Sequence, residues 1–114
     1  MHEMSITVNI IKIVNEQMIE NKATKLNVLK LKVGQMTAVE PDSLKFCFDA
    51  TIIGTPLEGA LLQIEEVPIT GICSECNRNF EMENYYISTC PDCGGTAAEI
   101  VSGRELDIVG MEVD

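Results

Sequence analysis

Apolar side chains recur along residues 4 to 21 at steps of four, three, three and four: Met4, Val8, Ile11, Val14 and Met18. That period predicts one face of an α-helix, widened by Ile6, Ile10 and Ile13. Asn9, Lys12, Asn15, Glu16 and Glu20 fall on the wet side. The methionines of the stripe read as core packing rather than as metal ligands. Over Lys25 to Gln35 the period changes to two. Leu29, Leu31 and Val33 alternate there with Lys30 and Lys32, which predicts a half-buried strand closed by Gly34. Leu26 and Val28 are out of phase with that set, so a bulge is expected near Val28. Pro41 opens a second helix, with Leu44, Cys47, Phe48 and Thr51 on its buried side and Gly54 at its end. Cys47, between two phenylalanines, reads as a small buried hydrophobe, since no His lies near it in sequence to activate a thiolate. Ala60, Leu62 and Ile64 predict a strand running to Pro68. Leu106, Ile108, Met111 and Val113 predict a last one, whose alternation shifts at Gly110.

The expected fold class is therefore α+β: two helices packed on a small mixed sheet of about three strands. The segment between the last two strands has a different character. It holds two Cys-x-x-Cys pairs, Cys73-Ser74-Glu75-Cys76 and Cys90-Pro91-Asp92-Cys93, separated by thirteen residues. Each pair sits where a turn can aim both sulfurs at one point, and four thiolates from two such turns form the closed tetrahedral cage of a structural zinc site. Pro91 pre-sets a turn, and Gly94-Gly95 allows a tight loop whose amides swing toward the sulfurs. The bland alternative is two disulfides or four unrelated thiols, which suits a secreted chain and not this one. The segment also has few large apolar side chains: Ile72, Phe80, Met82, Tyr85, Tyr86 and Ile87. A piece that small needs a metal or covalent staple to fold. The expected boundaries are 70–98 for this four-cysteine, zinc-ribbon-like module and 1–69 plus 99–114 for the α/β domain.

Charge narrows the functional classes. Eighteen acidic residues against eight basic give a net charge of -10 over 114 residues. A zinc ion held by four thiolates adds to that negative charge. Nucleic acid demands Lys and Arg, and the module carries only Arg78 against Glu75, Glu81, Glu83 and Asp92. A nucleic-acid partner is not expected. No apolar run approaches the ~18 residues of a membrane span, and Met-His-Glu-Met-Ser lacks the basic start of a signal peptide. Together with an odd number of cysteines, this places the protein in the cytosol, away from membranes. Four Cys ligands also leave no open position for water, so a zinc hydrolase is not expected.

The single histidine of the chain is His2. A lone His is usually an ordinary surface residue, but its position changes the chemistry. Removal of an initiator Met requires a small second residue, so Met1 should be retained. The Met1 terminal amine, the His2 backbone nitrogen and its imidazole can then chelate one ion through fused five- and six-membered rings. A metal that displaces an amide proton in this way is characteristically Ni(II) or Cu(II), which accept tetragonal nitrogen coordination. Zinc has no preference for that plane. A further position is left for the Glu3 amide, a carboxylate, water or a partner. An incompletely enclosed ion suits transfer better than storage.

Together, the opening Met1-His2-Glu3-Met4-Ser5, the two Cys-x-x-Cys pairs and the tail Ser102-Gly103-Arg104-Glu105-Leu106 resemble the HypA/HybF nickel chaperones of [NiFe]-hydrogenase maturation. The resemblance spans the whole chain. It implies nickel as transported metal in the α/β domain, bound through His2 and neighbouring backbone nitrogens. It implies structural zinc on Cys73, Cys76, Cys90 and Cys93. It also implies work beside a HypB-type GTPase and delivery into the hydrogenase large subunit, with urease as a further client in some organisms. Some members carry a second His near the zinc cysteines, and this chain has none. Oligomeric state is left open, with a homodimer among the outcomes. The expected function is that of a metallochaperone and not an enzyme. Its rivals are a rubredoxin-like iron redox module, which would be coloured, and a zinc-ribbon interaction protein.

Overall fold

The computed structural model describes residues 3–82 and 89–114. It contains α1 (Glu3–Glu20), β1 (Leu26–Gly34), a 3-10 turn (Gln35–Thr37), α2 (Pro41–Thr51), β2 (Leu61–Val67), β3 (Ile69–Cys73), β4 (Asn79–Met82), β5 (Ala97–Ser102) and β6 (Leu106–Val113). These form two three-stranded sheets, ordered β2-β1-β6 and β4-β3-β5. Two separate cores accompany them.

The first sheet is mixed, as expected. β1 lies at its centre, parallel to β2 and antiparallel to β6. A parallel pair needs a crossover, and α2 supplies it. Leu29, Leu31 and Val33 point into the core with 2% exposure or less, while Lys30 and Lys32 face water and reach Glu112 at 3.5 Å and Glu65 at 4.0 Å. Two register shifts interrupt the β1–β6 ladder. Asn27 is the extra residue on β1, and this is what lets Leu26 and Leu29 both be buried despite their odd spacing. Val109, beside Gly110, is the extra residue on β6. Both bulges stand where the phase of the sequence changes.

The helices form largely where the periodicity placed them, with one correction. Along α1 the buried residues are Ile6, Thr7, Val14 and Met18, flanked by partly buried Ile10 and Ile11. Met4, Val8 and Ile13, expected on the buried face, are 50%, 55% and 45% exposed. Thr7 takes the inward position instead, because its hydroxyl is satisfied by the Glu3 carbonyl at 2.8 Å and loses nothing by leaving water. On α2, Pro41 holds the first turn with Asp42, a charge suited to that end of the helix dipole. Leu44 and Phe48 are buried and Cys47 and Thr51 partly so, whereas Phe46 stands in solvent. Gly54, at φ 77, follows in the turn after the helix.

The three strands expected beneath the helices are β2, β1 and β6, and the Cys-rich segment adds a second sheet of its own. β3 pairs antiparallel with β4 and with β5. Its core is Ile69, Phe80 and Met82 with the sulfurs of Cys73 and Cys90. Phe80 and Met82 are one strand period apart, so β4 turns the same face inward twice. The expected boundary at 98/99 falls inside β5. Tyr85, Tyr86 and Ile87 lie outside the described residues.

Candidate metal centre

Cys73, Cys76, Cys90 and Cys93 come together from two loops that repeat the same backbone plan. In the first, the Cys73 N–H donates to the Arg78 carbonyl at 2.9 Å and its carbonyl accepts the Asn77 N–H at 3.0 Å. In the second, the Cys90 N–H donates to the Gly95 carbonyl at 2.7 Å and its carbonyl accepts the Gly94 N–H at 2.9 Å. Each loop turns on one left-handed residue, Asn77 at φ 58 and Gly94 at φ 75. Asn and Gly are the residues that reach that region most cheaply. Amides then point at the sulfurs: Glu75 N–H at Cys73 Sγ and Gly95 N–H at Cys93 Sγ, each at 3.4 Å. The Gly94-Gly95 pair acts as its position predicted.

Cys73 and Cys93 sulfurs lie 3.4 Å apart, those of Cys76 and Cys90 3.7 Å, and all four lie within 4.8 Å of one another. A tetrahedron with metal–sulfur bonds of about 2.3 Å has edges of about 3.8 Å. The four thiols therefore fit one tetrahedral ion. None of the five cysteines is in a disulfide.

The thiols themselves behave as a metal-binding set. The Cys76 and Glu75 amides hold the Cys73 thiol down at about 7, from an ordinary 9.0. At Cys93 the Gly95 amide pulls the same way, but the neighbouring Cys73 and Cys76 sulfurs outweigh it and push the thiol up to about 12. Cys76 is likewise raised: the Arg78 amide lowers it, and lost hydration with the sulfurs of Cys73 and Cys90 overcomes that. The first negative charge settles on Cys73 and resists a second. A divalent cation cancels that repulsion, so the cluster accepts a metal more readily than it accepts its own ionisation.

The sequence did not show how the residues around the cluster pack against each other. A Cβ on Gly95 would sit 2.8 Å from the Glu75 carboxylate and 3.0 Å from Cys73 Sγ, so the second loop packs against the first only without a side chain there. Arg78 and Asp92 join the two loops by an exposed ion pair at 3.3 Å. Met1 and His2, expected to hold nickel, lie outside the described residues. Glu3 opens α1, and Met4 beside it accepts a long contact from the Thr51 hydroxyl, 3.8 Å from its sulfur, at the end of α2.

A two-helix α/β fold joined to a four-cysteine cluster that fits one tetrahedral ion defines a candidate metal-binding protein. Comparison with known proteins makes this specific. A family model described as hydrogenase/urease nickel incorporation, metallochaperone, HypA matches residues 1–113. Two hydrogenase maturation factors HypA resemble the chain from end to end. That of Prosthecochloris aestuarii is 40% identical with 100% of both chains covered, and that of Chloroflexus aurantiacus is 38% identical with 98% covered. The fold is also that of the solution structure of the Ni metallochaperone HypA from Helicobacter pylori, with a TM-score of 0.66 at 21% identity over 99% of this chain and 97% of that one. This chain belongs to the HypA family of nickel-incorporation metallochaperones.

Proposed function

We propose that the protein binds Ni(II) at its amino terminus and delivers it for insertion into [NiFe]-hydrogenase, while zinc on Cys73, Cys76, Cys90 and Cys93 holds the second module. The observation that carries this reading is that the family match begins at residue 1 and so takes in the Met1-His2-Glu3 opening with the chain's single histidine. The ligands are the Met1 amine, the His2 backbone nitrogen and imidazole, and the Glu3 backbone nitrogen. Glu3 supports its part in this. It opens α1, where backbone N–H groups have no acceptor within the helix, so its nitrogen can turn to an ion without breaking the helix ladder. The Thr51–Met4 contact also brings the C-terminal turn of α2 beside the start of α1, and that end of a helix favours a cation. A HypB-type GTPase and the hydrogenase large subunit are the partners the family resemblance offers, with urease as a second client. The cytoplasm, where thiols stay reduced, is the compartment.

Calorimetric titration with Ni(II) tests the site in three proteins: native, extended by one residue before Met1, and His2→Ala. Tight binding is expected in the first, weakened binding in the second and none in the third, with zinc content unchanged throughout. Equal affinity in native and extended proteins sinks the terminal amine as a ligand. Nickel retained by His2→Ala sinks the whole site. Native affinity should fall steeply as pH drops through about 6.5, where imidazole gains its proton. The metal of the cysteine cage is read separately, by colour, since a zinc tetrathiolate is colourless and its iron counterpart is not.

A further inference from the structure

Two antiparallel strands link the cysteine cluster to the other sheet. Cys73 closes β3 and Ile69 opens it, and β5 runs alongside to Ser102. The chain crosses between the two sheets twice, at Pro68 and at residues 103–105, and both crossings lie in one seam. The Ser102 hydroxyl donates to the Pro68 carbonyl at 2.8 Å and stands 2.6 Å from the Thr70 hydroxyl. Gly103 is buried at φ 116, and a Cβ there would lie 3.0 Å from the Ile69 Cα. Its carbonyl accepts the Met36 N–H at 2.8 Å, and the Glu105 carbonyl accepts the Gly34 N–H at 2.6 Å. A Cβ built on Gly34 would run into the Gly103 carbonyl. The Met36 side chain crosses the seam to pack on the core of the second sheet. One side chain closes this arrangement: the Glu105 carboxylate takes the Gly103 N–H at 2.7 Å.

We propose that Glu105 is a positioning residue. By holding Gly103 in its positive-φ turn, it locks the seam and keeps the four-cysteine module in one orientation relative to the helices. Glycine has the widest conformational freedom of any residue, so a crossing built on Gly103 swings unless something pins it. The carboxylate is that pin, and without it the buried Gly103 N–H has no partner. This role goes beyond the nickel reading and stands whichever metals the protein carries.

Residual dipolar couplings on the zinc-loaded full chain test it. In the wild type, one alignment tensor should fit both sheets. Glu105→Ala, and Gly34→Ala by steric wedge, should each require two. Glu105→Gln keeps a side-chain oxygen and should restore one. Exchange of the Gly103 amide should quicken about tenfold in Glu105→Ala, the factor for losing one ordinary hydrogen bond, and not in Glu105→Gln. Zinc content equal to wild type shows that the module remains folded in each variant. Two tensors in the wild type, a single tensor in Glu105→Ala, or no recovery in Glu105→Gln overturns the proposal. If Gly34→Ala does not fold, the Glu105 pair decides alone.

Discussion

Gly95 shows how a single hydrogen in place of a methyl group can hold a metal site together. Its missing Cβ leaves space that the Glu75 carboxylate and Cys73 Sγ both approach. In Gly95→Ala the Glu75 side chain can swing away, but Cys73 Sγ is tied to its loop by the Glu75 amide at 3.4 Å. Zinc affinity should therefore fall about tenfold or more, a loss of roughly 1.4 kcal/mol, while Glu75→Ala alone should bind nearly as wild type. Competition with a colorimetric chelator reads both. Proton linkage at the same residues sets the pH response. In the metal-free protein Cys93 is raised to about 12 and Cys76 is raised, so both keep their protons near neutrality and zinc must displace them. Cys73, lowered to about 7, gives its proton up first and takes it back as pH falls through that value. Apparent zinc affinity should consequently rise with pH across about pH 6 to 8, with proton release measurable in buffers of different ionisation enthalpy. A flat profile would mean that the thiols are already ionised.

At the scale of elements, α2 is the wedge that fills the space above the first sheet. Leu44 is 0% exposed and Phe48 2%, one helical turn apart on the same face. Truncation of Leu44 to Ala leaves a cavity between helix and strands, expected to cost about 2–5 kcal/mol and to appear as a clear drop in Tm. Val8→Ala, at a position the apolar stripe made equivalent in rank, removes a side chain already 55% exposed and should cost under about 1 kcal/mol. The contrast separates periodicity from burial. Similar costs for the two substitutions would mean that Val8 is covered in solution. The bulges of the β1–β6 ladder belong to this scale as well. Each was visible as a phase slip, because a strand cannot bury residues at odd spacing unless one extra residue is looped out.

For the whole molecule, two cores joined by a seam mean that loss of one sheet need not destroy the other. Among the described residues the second core is small, and two of its five buried members are Cys73 and Cys90. Its order is therefore expected to depend on a metal, whereas the first core is built on fourteen buried hydrophobic residues. Cys73→Ser should abolish stoichiometric zinc and disorder residues around β3, β4 and β5, with the β1, β2 and β6 amides still protected from exchange. Complete loss of far-UV dichroism would show instead that the seam transmits unfolding from one sheet to the other. Full zinc content in the variant would remove Cys73 from the ligand set.

Much of this was legible in the residues. The two helices, the mixed sheet, both bulges and the meeting of four sulfurs follow from local rules: helical and strand periods, Pro41 at a helix start, and paired cysteines in turns. Such rules act within a few residues and leave a trace in the order of side chains. The inward turn of Thr7, the exposure of Met4 and Val8, and the separate sheet β4-β3-β5 left no such trace. They depend on which neighbours arrive, since a hydroxyl bonded to the preceding turn and a methyl at the flank of a helix differ in burial only once a sheet is laid against them. The same holds for the seam. Gly34, Gly103 and Glu105 are ordinary residues until the fold brings positions far apart along the chain into backbone contact. Sequence by itself determined the two helices, the strands of the first sheet and the four cysteines that meet. Tertiary structure decided which faces are buried and how the cage is held against the helices, because burial and close backbone approach are properties of pairs that the chain order keeps far apart.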